Sequence, residues 1–166
     1  MQALAVFDTP VDEEAIAYLL APWFPDLGVR DCLRDLVSGH FVRISSAARE
    51  YSLHPLDREY SYRQLPRDET DSSYGQRNLE LRAADYYASI RKPESEWKSI
   101  DDLGPQLAEF EHRLCAGDDD GAFEACSAGN RLSQNRWQPQ REGDLQAMLR
   151  ELPKHKGTDK LQAELK

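Results

Sequence analysis

The feature that most limits the fold of this chain is a change of hydrophobic period just after Gly39. Before it, apolar residues recur three and four apart, the repeat of an amphipathic helix. Leu4-Ala5-Val6-Phe7 reads as the end of a buried helix whose beginning is missing. Thr9-Pro10-Val11-Asp12-Glu13-Glu14 reads as a helix start, with acidic residues over the first turn. Ala15, Ile16, Leu19 and Leu20 follow at helical spacing. Pro22 and Pro25 break that run, and Trp23-Phe24 between them are placed to plug a core. Residues 29–38 predict a second helix, with Val29, Cys32, Leu33, Leu36 and Val37 on one side and Gly39 as its stop. Then the repeat drops to two. Phe41-Val42-Arg43-Ile44 and Tyr51-Ser52-Leu53-His54 are short strands flanking a polar connector, the pattern of a β-hairpin. Pro55 opens a further helix that ends at Pro66, with Leu56, Tyr60 and Leu65 on its expected apolar side.

Helix, helix, hairpin, helix is the order of a winged-helix domain, a relative of helix-turn-helix. The expected domain covers residues 1–67, and the polar run 67–73 reads as a linker or exposed loop. Beyond it, residues 74–90 form a helical pattern through Leu79, Ala83, Tyr86, Tyr87 and Ile90, stopped by Lys92-Pro93. Trp97 falls in a connector, and a second helix runs through Leu107, Phe110 and Leu114. Ala116-Gly117-Asp118 ends it, and a third begins near Asp120. Small residues such as Ala83, Ala84 and Ala108 suit the close crossings of stacked helical hairpins, expected over 74–128. The fold class is therefore mainly α, with one small hairpin.

Residues 129–166 form a flexible basic tail in this reading. Residues 129–143 lack apolar periodicity and are expected to be irregular. Leu145, Met148, Leu149 and Leu152 make a short amphipathic helix, and Thr158 caps a last one that is cut off at Lys166. That ending reads as a truncated or joined reading frame.

Charge narrows the partners. Residues 1–129 hold 13 Lys/Arg against 25 Asp/Glu, whereas residues 130–166 hold 8 against 5. An acidic body repels phosphate backbones, and Arg30 and Arg34 on the second helix are cancelled by Asp31 and Asp35, so nucleic acid is not the expected partner. With a mean hydropathy of −0.73, the chain has no 18-residue apolar run to cross a membrane. The N-terminus has no basic signal-like region. Cys32, Cys115 and Cys126 show no CxxC spacing and read as reduced, semi-buried thiols in a cytoplasmic protein.

Few residues fall into a pattern that carries chemistry. There is no GxxxxGK[ST], GxGxxG, HExxH or GxSxG. Without a P-loop no phosphate cradle exists, and no catalytic residue, metal site or cofactor of the chain's own is expected. Asp118-Asp119-Asp120 lacks EF-hand spacing and reads as a solvated inter-helix loop. His112 reads as an ordinary surface or semi-buried histidine, and the Tyr60/Tyr62 and Tyr86/Tyr87 pairs as packing groups. His54 stands out. With Pro55 in the first helical turn it lies near a helix N-terminus, where it serves as a cap or core group and where an anion can also be received.

Residues 4–65, above all Leu53-His54-Pro55-Leu56-Asp57-Arg58-Glu59-Tyr60, resemble the winged-helix region of NB-ARC-type STAND signalling ATPases. The resemblance implies that His54 stands for the histidine that touches the ADP phosphates and holds the resting state; Leu53 and Pro55 depart from the family motif around it. Arg82-Ala83-Ala84-Asp85-Tyr86-Tyr87-Ala88, Trp97 and residues 102–112 are similar to the TPR-like sensor region that follows in such proteins. This implies a regulatory, protein-binding fragment that works with a nucleotide-binding core in cis or in trans, with ADP or ATP bound by that core. A separate likeness of residues 148–161 is to the lead-in of TGS-domain GTPases. The rival readings are a DNA-binding winged-helix regulator and a fragment of such a GTPase.

Overall fold

The computed structural model describes residues 1–45, 47–67, 73–93, 96 and 100–125. The basic tail, Trp97 and Cys126 lie outside the described residues. The described chain is mainly helical, with one two-stranded antiparallel hairpin. Leu4–Val6 is a 3-10 turn rather than an α-helix, and it is buried as its apolar run requires. Helix α1 spans Glu13–Leu20, capped by Asp12, whose side chain accepts from Ala15 N at 2.8 Å. It buries Ala15, Ile16 and Leu19. Helix α2 spans Val29–Ser38, with Leu33 as its buried anchor and Cys32 exposed.

The end of α2 sets the start of the sheet. His40 N bonds Val37 O and Phe41 N bonds Leu36 O, the paired bonds of a Schellman cap. The left-handed residue of that cap is His40, at φ 64, not the preceding Gly39. Because Val42 N also turns back to Leu36 O, residues 40–42 have no amide free for a ladder. Strand β1 is therefore Arg43–Ser45 and pairs with β2, Glu50–Ser52, in the register Ile44 opposite Tyr51. The strands expected to begin at Phe41 and to continue to His54 are both displaced toward the turn. Val11 bridges the far side of β2 through two bonds with Tyr51. A β-carbon in the left-handed region is strained, so His40→Gly is expected to raise the unfolding free energy by about 0.5–1 kcal/mol, read as a higher urea midpoint at unchanged slope.

Helix α3 spans Pro55–Arg63, with His54 as its cap. It is rolled relative to the sequence expectation. Leu65 is buried, but Leu56 is 70% and Tyr60 68% exposed. Buried Ser61 faces inward instead, and Arg58 Nε donates to Phe7 O at 2.8 Å. Helix α3 packs against the 3-10 turn.

Helix α4 spans Gln76–Ile90, and α5 spans Gly104–Cys115 after a 3-10 turn at Ile100–Leu103. Arg91 meets Glu109, Asp85 meets Arg113 and Glu80 meets His112, so the two helices run antiparallel. Gly117, at φ 71, closes α5 in a second Schellman cap, and residues 119–125 are helical (α6). Leu79, Ala83 and Tyr86 join Leu4, Val6, Phe7, Ile16, Leu19 and Leu33 in one hydrophobic core. Trp23, half-buried, and Phe24, 47% exposed, both meet the Tyr74 ring edge-on, so the expected plug is a partly solvated one. Among the described residues no helix is long and apolar enough to cross a membrane.

Candidate functional site

A buried, hydrogen-bonded group of ionisable side chains lies where α3, α4 and α5 meet. Glu80, 2% exposed, projects from α4 beside Leu79, and His112, 7% exposed, from α5. His112 Nδ1 donates to Glu80 Oε2 across 2.6 Å. The other carboxylate oxygen accepts the Tyr62 hydroxyl of α3 at 2.5 Å, and Gln76 Nε2 donates to that same hydroxyl at 2.8 Å. The His112 ring stacks on Tyr87 at 5.5 Å and 13° and meets Phe7 edge-on at 5.8 Å. Each oxygen of a buried carboxylate therefore has a donor, the condition under which such a charge is tolerated. The expectation of a surface or semi-buried His112 is corrected by this site. Helix α5 turns its Gln106–Glu109–Phe110 face inward, and His112 flanks that face.

Burial first, and then the bond to Glu80, pushes the Tyr62 phenol well above its ordinary range. Burial raises Tyr86 to about 12, and also raises Tyr74 and Tyr87. The sign of the linkage is fixed. The unfolded chain loses phenol protons near pH 10 while the folded chain retains them, so stability falls as pH rises above about 10. The melting temperature is expected to drop between about pH 9 and 11 while absorbance of the folded chain reports fewer ionised phenols than the seven tyrosines present. Full ionisation without unfolding would contradict this.

Cys115 lies one turn beyond His112 and is exposed, and its thiol is pushed up by partial burial and by the nearby carboxylates Glu80 and Glu111. A raised thiol is the opposite of an activated nucleophile. A second polar group holds the same helix pair: buried Glu109 accepts from Arg91 Nη1 at 2.8 Å and Arg113 Nε at 3.1 Å. Arg113 also donates to Asp118 Oδ2, while Asp118 Oδ1 caps α6 through Gly121 N. The acidic triplet is not the inter-helix loop expected: Asp118 is the cap of α6, and Asp119 and Asp120, both exposed, form its first turn. No three metal-ligating side chains gather among the described residues.

His54 stands apart from this group. Half-buried, it accepts from Leu56 N through Nδ1 at 3.3 Å, which leaves the imidazole proton on Nε2. Its helix carries Asp57 in the first turn, so an anion there would meet a carboxylate as well as the imidazole. An open groove of about 730 Å³ lies between α1 and the hairpin, lined by Asp12, Glu13, Glu14, Arg30, Arg49 and Tyr51 among others, and His54 is not in its lining. The Arg30–Glu13 ion pair at 3.0 Å spans two of those lining residues.

Sequence reasoning found His54 from its place before Pro55. It missed Glu80 and His112 because a search for apolar repeats passes over charged residues at core positions. The available signal was complementarity: a carboxylate beside Leu79 on one helix and an imidazole near Phe110 on the next. No family model matches the chain, and neither a curated protein nor a solved structure matches it.

Proposed function

We propose that this chain is a non-catalytic regulatory module of the STAND type, whose winged-helix part docks on a nucleotide-binding core supplied in cis or in trans. The observation that carries the reading is the outer face of α3, where Leu56 and Tyr60 stand one turn apart in solvent directly after His54. Adjacent large apolar side chains held in water mark a surface that a partner covers. The N-capping role of Nδ1 gives His54 a defined tautomer, with Nε2–H as the donor for a phosphate oxygen. The α4–α5 pair would serve as the segment that senses a ligand or partner protein. A DNA-reading role is disfavoured by the pairing of Arg30 with Glu13 and of Arg34 with Asp31 and Asp35.

The test supplies, in trans, a STAND nucleotide-binding core that lacks its own winged helix and follows ADP release. The intact chain is expected to slow release, and His54→Ala to restore it by about tenfold or more, the worth of a hydrogen bond to a charged group. Leu56→Asp with Tyr60→Asp is expected to abolish the complex while leaving the melting temperature of the free chain nearly unchanged. Release that is indifferent to the chain and to both variants would end the reading.

A further inference from the structure

We propose that the Tyr62–Glu80–His112 chain is a coupling device, which makes the seating of α3 depend on how α5 sits against α4. The Glu80 carboxylate is the centre of the chain. Its two oxygens serve different helices, Oε1 receiving Tyr62 of α3 and Oε2 receiving His112 of α5. Glu80 itself is fixed on α4, whose Leu79 and Ala83 are wholly buried in the core. A charge in so enclosed a place that loses one donor is left uncompensated, and the carboxylate must shift to recover another partner. Tyr62 is also the acceptor of Gln76 at the start of α4, so its hydroxyl sits in a continuous chain from Gln76 to His112. Displacing α5 removes the His112 bond and shifts the Tyr62 hydroxyl with the carboxylate that holds it.

Helix α3 has only nine residues and carries Tyr62 near its end and His54 as its cap. A helix that short moves as one body, so a pull at Tyr62 is felt at Leu56 and His54, about 9 Å and about 12 Å away at 1.5 Å per residue. The use of the device rests on the docking role proposed for α3, but its existence does not. The two therefore fail separately.

The experiment is backbone amide exchange on the full chain, without any partner. His112→Phe keeps a ring against Tyr87 and Phe7 and removes only the bond to Glu80; Tyr62→Phe removes only the hydroxyl. The amides of α1 report global opening and serve as the internal reference. His112→Phe is expected to speed exchange in the α3 amides at least about fivefold more than in α1, and that excess is expected to vanish in the Tyr62→Phe background. If His112→Phe fails to fold, Glu80→Gln, which keeps size and removes the charge, is read the same way. Equal acceleration of α3 and α1, or an excess that persists without the Tyr62 hydroxyl, overturns the coupling and leaves the docking reading to its own test.

Discussion

Replacing His112 by phenylalanine is expected to lower the unfolding free energy by about 3–5 kcal/mol, the cost of stranding a buried charge without its partner. A domain's whole margin is about 5–15 kcal/mol, so the variant sits close to unfolding at 37 °C. Cavity formation cannot account for the loss, because the phenyl ring fills the space between Tyr87 and Phe7. The carboxylate is the cause, which gives the prediction its second half. Removing all three polar members together, as Tyr62→Phe, Glu80→Leu and His112→Phe, is expected to recover most of the stability, since an apolar replacement of a complete buried network is near neutral. Chemical denaturation of the wild type, the single variant and the triple variant measures both halves. A single variant within about 1 kcal/mol of wild type would mean that Glu80 is hydrated after all.

The second large effect contrasts two leucines. Leu79 is wholly buried where α4 meets the rest of the core, and Leu79→Ala is expected to cost about 2–5 kcal/mol through lost transfer energy and the cavity left behind. Leu56→Ala removes the same atoms from a side chain that solvent already reaches, and is expected to change stability by about 0.5 kcal/mol or less. The difference between their denaturation midpoints tests the roll of α3 directly. Comparable losses would mean that Leu56 is covered and that the outer face is part of the core.

Helix periods were legible in the sequence because packing writes them there. Val29–Ser38 matches the expected span, and Ala15, Ile16, Leu19, Leu79 and Ala83 are buried as their spacing requires. The hairpin was legible in kind but not in register. Its strands were displaced by hydrogen bonds that close α2, and a left-handed histidine gives no hydropathy signal. The face of α3 was misread for a related reason. Large apolar residues point to Leu56 and Tyr60, yet the buried residue of α3 is Ser61 and the Arg58 guanidinium reaches the Phe7 carbonyl, neither of which an apolar pattern can find. Of the candidate sites, His54 was visible from its neighbour Pro55. The Glu80–His112 pair was hidden because its two halves lie 32 positions apart and each alone looks like a surface residue.

The sharing of one core between the hairpin-bearing half and α4 bears on how the molecule can be dissected. Leu79, Ala83 and Tyr86 fill space that α1 and the 3-10 turn leave open. An excised piece ending before Gly75 would carry an uncovered greasy cleft and a Tyr62 hydroxyl robbed of its acceptor. The smallest autonomous unit that includes the His54 face therefore reaches at least through Ile90, and any binding assay on a shorter peptide would measure stickiness rather than recognition.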